Sequence, residues 1–100
     1  MKTTITEQDG ARVAILEGRL DTAATSQTEQ DMQPLMDCEG LDVILDCTSL
    51  EYISSSGLRL FLNVLKSQKA KGGHVYITGM NSNIRSVFTM TGFMNLFEFK

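Results

Sequence analysis

A chain of 100 residues, of which 42% are hydrophobic and 21% charged, is long enough for one hydrophobic core and too short for a separate catalytic domain. The formal net charge of -3, with nine scattered basic residues, argues against nucleic acid as a partner. No apolar run approaches the roughly 18 residues that span a bilayer, and the polar start Met1 to Thr4 lacks the apolar segment of a signal peptide. We therefore expect a single cytoplasmic domain over residues 1–100, with no membrane partner.

The first predicted elements are two strands joined by a tight turn. Asp9-Gly10 is a turn signal, and the apolar run Arg12 to Glu17 follows it. Residues Thr3 to Glu7, before the turn, can pair with that run. The pattern therefore predicts a β-hairpin at the start of the chain.

A helix is predicted after the hairpin. Asp21 can cap a helix that runs through Leu35, and Ser26 with Glu29 forms a second possible capping box. Pro34 is expected to end or kink this helix, because proline cannot donate a backbone hydrogen bond in a helix interior.

The middle of the chain predicts a buried strand and then a long helix. Leu41 to Asp46 has a continuous apolar centre, which is typical of a central strand that is covered on both faces. From Ser55 to Lys71, apolar residues recur at spacings of three and four, and Gly72 is placed to end the helix.

The remaining elements alternate in the same way. His74 to Thr78 is predicted as a short strand, Asn81 or Ser82 opens a helix through Phe88, and Asn95 to Phe99 is a candidate last strand. A hairpin followed by helix-strand units predicts an α/β sheet with right-handed crossovers.

Two turns follow strands and precede helices, which is where sites gather in open α/β sheets. One turn is Gly18 to Asp21 and the other is Ser54 to Gly57. If their strands are neighbours, Asp21 and the serines share one surface. A serine at the second turn is a candidate N-cap, and the positive end of the helix dipole beside it would tolerate a phosphate.

Three segments carry a family resemblance: Gly18-Arg19-Leu20-Asp21, then Leu45-Asp46 followed by Leu50-Glu51-Tyr52-Ile53, then Ser54-Ser55-Ser56-Gly57-Leu58-Arg59. With the lengths between them, these segments resemble the STAS domain, and within it the bacterial anti-sigma factor antagonists, over essentially the whole chain. The resemblance implies a small mixed β-sheet of about four to five strands with helices packed against it. It also implies a role in transcription regulation through protein-protein interaction.

The resemblance places the phosphorylated serine of the family on Ser55, with Ser54 and Ser56 as alternatives. It departs from the family at Ser54, where many members carry aspartate. The implied partners are an anti-sigma factor with serine kinase activity, which phosphorylates the serine with ATP, and a phosphatase that reverses the modification. The residues expected to bind the anti-sigma partner are Asp21, Ser54, Ser56, Gly57, Leu58 and Arg59.

Simpler roles remain open for the same residues. The serines can act only as caps and turn formers, Asp21 can serve only as an N-cap, and Asp46 fits a structural acceptor at a strand end better than a catalytic acid. The domain can also be a scaffold or regulatory STAS module that is not phosphorylated.

An enzymatic role is not expected. A serine nucleophile with His74 as its base lacks the Gly-x-Ser-x-Gly elbow, and the sequence carries no phosphate-binding loop, dinucleotide fingerprint or metal-ligand cluster. No cofactor or metal is therefore expected. The spacing of Cys38 and Cys47 matches neither a redox pair nor a zinc site, which predicts two reduced thiols.

Overall fold

The computed structural model describes residues 1–36 and 41–99, so the expectations for Cys38 and for residues 37–40 lie outside the described residues. The described residues form five strands and four α-helices, in the order β1 (Lys2–Gln8), β2 (Ala11–Leu20), α1 (Thr25–Asp31), α2 (Gln33–Met36), β3 (Asp42–Ile53), α3 (Ser55–Ala70), β4 (Val75–Thr78), α4 (Ser82–Thr91) and β5 (Glu98–Phe99). A short 3-10 helix, Phe93–Asn95, precedes β5.

One mixed sheet contains all five strands in the order β1-β2-β3-β4-β5. Strands β1 and β2 are antiparallel, and every later pair is parallel. The sequence-based prediction of a small mixed α/β sheet is confirmed.

The predicted hairpin is present. Thr3 pairs with Leu16 and Glu7 with Arg12, and the turn between the strands places both Asp9 (φ 51°) and Gly10 (φ 80°) at positive φ. Two consecutive positive φ angles match the twist of the flanking strands, and aspartate followed by glycine adopts them readily.

The predicted first helix is interrupted, and the expectation of one helix through Leu35 is wrong. α1 ends at Asp31 and α2 starts at Gln33, so that Pro34 lies in the first turn of α2. Proline is tolerated there because the backbone N–H groups in the first turn of a helix have no acceptor within that helix, so the missing N–H of proline costs no helical hydrogen bond. The Arg12 guanidinium donates to the Pro34 carbonyl oxygen at 2.6 Å, which ties α2 to the hairpin.

β3 is the central strand, as predicted, but the expectation that both of its faces are covered is wrong. Val43, Leu45 and Cys47 are buried, whereas the alternating residues Ile44 and Asp46 are only half-buried. β2 to β5 advance across the sheet in one direction, and right-handed crossovers then place every connecting helix on the same face. Within residues 1–36 and 41–99, the opposite face carries no helix.

The core lies between that face and the helices. Phe61 of α3 and Phe88 of α4 have ring centroids 6.1 Å apart, and Phe97 lies within 6.5 Å of both rings. Aromatic pairs at these tilted geometries add to the free energy gained from burial alone. The same core cluster includes Met32, next to α1, and Leu35 of α2, so the helices share one hydrophobic core.

The C-terminal half follows the predicted order of elements, with shorter strands and with α4 extending to Thr91, beyond the predicted Phe88. α3 ends at Ala70 with Gly72 at φ 75°, and Asn81 caps α4. The last strand is only Glu98–Phe99, because part of the segment predicted as strand forms the 3-10 helix instead. Among the described residues, no helix is both long and apolar enough to cross a membrane.

Candidate functional site

The exits of β2 and β3 lie side by side, at the carboxyl end of the sheet. Leu20 pairs with Ile53, and the Ser54 N–H donates to the Leu20 carbonyl oxygen at 2.9 Å. Asp21 follows Leu20 directly, just as Ser54 follows Ile53. Gly18 to Leu20, predicted as a turn, form the end of β2, and the structure brings this strand end and Asp21 together with the predicted serine turn. We call the surface formed by residues 19, 21, 52, 55, 56 and 59 the serine-turn surface.

Ser54 begins α3 as its N-cap. Its backbone is extended (φ -87°, ψ 171°), and its hydroxyl oxygen accepts from the Gly57 N–H at 3.1 Å. Only 7% of Ser54 is exposed. The capping serine predicted from the sequence is thus identified, and its oxygen is occupied within the turn.

Gly57 is required by the packing of this turn. A Cβ atom at residue 57 would lie 2.8 Å from Leu20 Cγ and 2.9 Å from Ile53 Cγ1, both of which belong to buried side chains. The absence of a side chain therefore allows α3 to start directly against the ends of β2 and β3. Close approach of the backbone to neighbouring groups is a common role of glycine.

The residues of the first turns of α3 differ in exposure. Ser55 and Arg59 are exposed, Ser56 is half-buried, and Leu58 is 4% exposed. Gly57 and Leu58 therefore shape the turn from inside. The side chains open to another protein are those of Ser55, Ser56 and Arg59.

Asp21 organises the loop after β2. Its Oδ1 accepts from the Ala24 N–H at 2.9 Å, and its carbonyl oxygen accepts from the Thr25 hydroxyl at 3.0 Å. α1 starts only at Thr25, with no side-chain cap of its own, so Asp21 stabilises the turn that leads into the helix. Neither Asp21 nor the Ser26 and Glu29 pair forms the predicted N-cap of α1.

The pair Arg19 and Tyr52 was not predicted as part of the site. The pairing of β2 with β3 shifts here, because Gly18 pairs with Leu50 whereas Arg19 pairs with Tyr52. One residue of β3, Glu51, is left over as a bulge, and bulges re-aim side chains next to functional sites. The Arg19 Cζ atom lies 4.6 Å from the centre of the Tyr52 ring, which is a cation–π contact.

Asp46 is a structural acceptor, as expected, but it lies inside β3 and not at its end. Its Oδ1 accepts from the Thr48 N–H at 3.0 Å and from the Thr48 hydroxyl at 2.6 Å. The neighbouring Cys47 is buried and unpaired, and burial, with the Asp46 charge as a smaller cause, raises the pKa of its thiol to about 12. The thiol therefore stays protonated and unreactive at neutral pH.

His74 lies at the other end of the sheet. It precedes β4, and its Nδ1 lies 2.8 Å from Glu98 Oε2. β3 runs from Val43, the register partner of Val75, to Ile53, a length of about 30 Å for an extended strand. The structure therefore does not bring His74 near Ser55. Within residues 1–36 and 41–99, no three side chains of the metal-ligating types converge on one point.

Comparison with known proteins agrees with this geometry. The sequence profile of the STAS domain matches residues 2–100. BtrV of Bordetella bronchiseptica, which carries the name of an anti-sigma factor antagonist, is 34% identical over 97 residues, covering 97% of this chain and 84% of that protein.

Two solved structures have the same fold. The crystal structure of an anti-sigma factor antagonist from Mycobacterium paratuberculosis superimposes with a TM-score of 0.87 at 18% identity, covering 98% of this chain and 83% of that one. The Bacillus cell fate determinant SpoIIAA in its phosphorylated form gives a TM-score of 0.74 at 20% identity, covering 99% of this chain and 91% of that one. The sequence motifs, the sheet order and the profile match together show that this chain belongs to the STAS domain family.

Proposed function

We propose that this chain is an anti-sigma factor antagonist that binds a kinase-type anti-sigma factor through the serine-turn surface. Phosphorylation of Ser55 by that partner ends the binding, and a phosphatase restores it. The observation that carries the proposal is the exposed Ser55 hydroxyl at the start of α3, beside the exit of β2, in a domain whose relative BtrV carries the antagonist name.

Ser55 is the best acceptor of the three serines. The Ser54 oxygen is buried and already accepts from the Gly57 N–H, so a phosphate on it would remove the cap of α3. Ser56 is half-buried, whereas Ser55 is exposed. A kinase can therefore reach the Ser55 hydroxyl without unfolding the turn.

The charge that a phosphate adds at Ser55 is compatible with a switch that leaves the fold intact. Phosphoserine carries about -1.5 to -2 charges at pH 7, and the first turn of α3 holds no acidic residue. The positive end of the helix dipole favours an anion at this position. At a protein interface beside Asp21 and Glu51, the same charge adds repulsion and desolvation that can reach several kcal/mol.

The proposal is tested by binding measurements with Ser55→Asp and its matched control, Ser82→Asp. Ser82 is also the exposed first residue of a helix, so both variants gain one charge in the same local setting. Wild type and Ser82→Asp should recover a partner with an ATP-binding kinase fold from the source cell. Ser55→Asp should bind that partner about a hundredfold more weakly, with a nearly unchanged melting temperature.

Equal binding by wild type and Ser55→Asp would contradict the switch. Failure of wild type to bind any kinase-type anti-sigma factor would contradict the antagonist role itself.

One feature favours a second candidate function, that of a STAS scaffold or regulatory module that is not phosphorylated. Ser54 stands where many members of the family carry aspartate, so no carboxylate lies at the residue before the acceptor. Intact-mass measurement after incubation with the bound kinase and ATP separates the two functions. A stable complex that gains no phosphate would support the scaffold.

A further inference from the structure

The serine-turn surface contains one cation that is held in place by a ring. Arg19 is exposed, its Cζ atom lies 4.6 Å from the centre of the Tyr52 ring, and Tyr52 is itself 39% exposed. The two residues are register partners in neighbouring strands. They directly precede Leu20 and Ile53, after which the two turns of the site begin.

The bulge at Glu51 determines what Arg19 faces. Gly18 pairs with Leu50, so without the extra residue in β3 the next pair would join Arg19 to Glu51. The bulge places Tyr52 opposite Arg19 instead. In the part of the chain that the structure describes, no carboxylate forms an ion pair with Arg19.

A guanidinium that lies over an aromatic ring can still bind an acceptor through its N–H groups. These groups form a planar fork that matches a carboxylate. The ring also limits the motion of a long side chain, so that less conformational entropy is lost on binding. Arg19 and Arg59 are the two cations of the serine-turn surface, and of these Arg19 is the one that lies over an aromatic ring.

We propose that Arg19, which lies over the Tyr52 ring, is a specificity-determining residue of the serine-turn surface and pairs with a carboxylate of the anti-sigma partner. This inference rests on the proposed function. It adds that a partner with an acidic side chain at this point is accepted, and that one with a basic side chain is repelled.

The test is the steady-state phosphorylation of the chain by the anti-sigma kinase that wild type recovers. Arg19→Glu should raise KM about tenfold or more and leave kcat within about twofold, because Arg19 acts in docking and not on the transferred phosphate. Arg19→Lys keeps the charge but loses the fork and should raise KM about twofold to fivefold. Arg85→Glu makes the same charge change on the exposed surface of α4 and should leave KM unchanged.

A charge-swap experiment identifies the acceptor. Acidic residues of the kinase are replaced one at a time by lysine, and one of these variants should restore tight docking of Arg19→Glu while weakening that of wild type. Melting temperatures of all variants of this chain should agree within a few degrees, since Arg19 and Tyr52 are exposed.

The outcomes separate the two proposals. If wild type is phosphorylated and Arg19→Glu shows the same KM, or if no lysine variant rescues it, the assignment of Arg19 is wrong while the proposed function stands. If wild type neither binds nor is phosphorylated by a kinase-type anti-sigma factor, both are overturned.

Discussion

The turn between β3 and α3 and the turn between β4 and α4 start their helices in the same way. Ser54 (φ -87°, ψ 171°) and Asn81 (φ -76°, ψ 173°) are both extended N-caps, and each side chain accepts from the backbone N–H three residues later. An exposed serine follows each cap, Ser55 in one turn and Ser82 in the other. Neither helix has an acidic residue in its first turn.

The two turns differ in what lies beside them. The exit of β2, with Asp21, flanks the Ser54 turn. The Asn81 turn is instead tied to the side of β3, because the Asn81 Nδ2 group donates to the Leu50 carbonyl oxygen at 3.0 Å. A capped helix with an exposed serine is therefore common to both turns, and the neighbouring strand end is what distinguishes a candidate docking surface from a structural turn.

The largest expected difference between the turns is in phosphorylation. With the anti-sigma kinase and ATP, Ser55→Ala should abolish phosphate incorporation, and Ser82→Ala should leave it at the level of wild type. The reason is that docking on the serine-turn surface presents Ser55 to the kinase and leaves Ser82 away from it. Intact mass and peptide mapping measure the outcome, and phosphate on Ser82 in the wild-type chain would show that exposure at a helix start is sufficient.

Replacing the glycine in each turn by alanine has the next largest expected effect, which is on the free energy of unfolding. A Cβ at residue 79 would lie 2.9 Å from the Thr48 backbone N and Cα atoms, and the residue has φ +77°. Gly79→Ala should therefore lower the free energy of unfolding by about 3 kcal/mol, from strain and overpacking together. Gly57→Ala meets the side chains of Leu20 and Ile53 at ordinary φ and should cost about 2 kcal/mol.

Gly72→Ala is the control for this pair, because residue 72 has φ +75° and nothing lies within 4 Å of a Cβ there. It should cost about 1 kcal/mol, from backbone strain alone. Urea unfolding measures the three variants. A cost for Gly57→Ala below that of Gly72→Ala would mean that α3 can move away from the strand ends.

The smallest expected effects on the free energy of unfolding are those of the two caps. Ser54→Ala should lower the free energy of unfolding by about 1 kcal/mol, from loss of the bond to the Gly57 N–H. Asn81→Ala loses both its cap and the bond to Leu50, and should cost about 2 kcal/mol. Thermal unfolding measures both. The reverse order would show that the Ser54 turn carries more of the stability of the fold than its contacts suggest.

The parts of the fold that follow from local signals were predictable from the sequence. Asp9-Gly10 fixes the hairpin, and the apolar spacing from Ser55 onward with Gly72 at its end fixes α3. The meeting of Asp21 with the serine turn was predicted on the condition that β2 and β3 are neighbours, and the sheet order satisfies it.

The remaining features depend on contacts between different segments of the chain, which the pattern of one segment alone does not show. The apolar centre of Leu41 to Asp46 suggested a strand buried on both faces, but the strand order places the described helices on one face. The break between α1 and α2 occurs at Met32, ahead of Pro34. The contact of Arg19 with Tyr52 arises from a bulge in the pairing of two strands, which the pattern of either strand alone does not show.

The length of β3 relative to β4 has a consequence for self-association. β4 pairs with Val43 to Asp46, and no strand among the described residues lies beside the rest of β3, through Ile53, on that side. Unpaired strand edges recruit other chains and seed aggregates. Gly79 packs closely against the Thr48 backbone, and the Asn81 Nδ2 group donates to the Leu50 carbonyl oxygen. The loop after β4 therefore covers this edge of β3. A few loop residues thus keep the longest strand of the sheet from recruiting a strand of a neighbouring molecule.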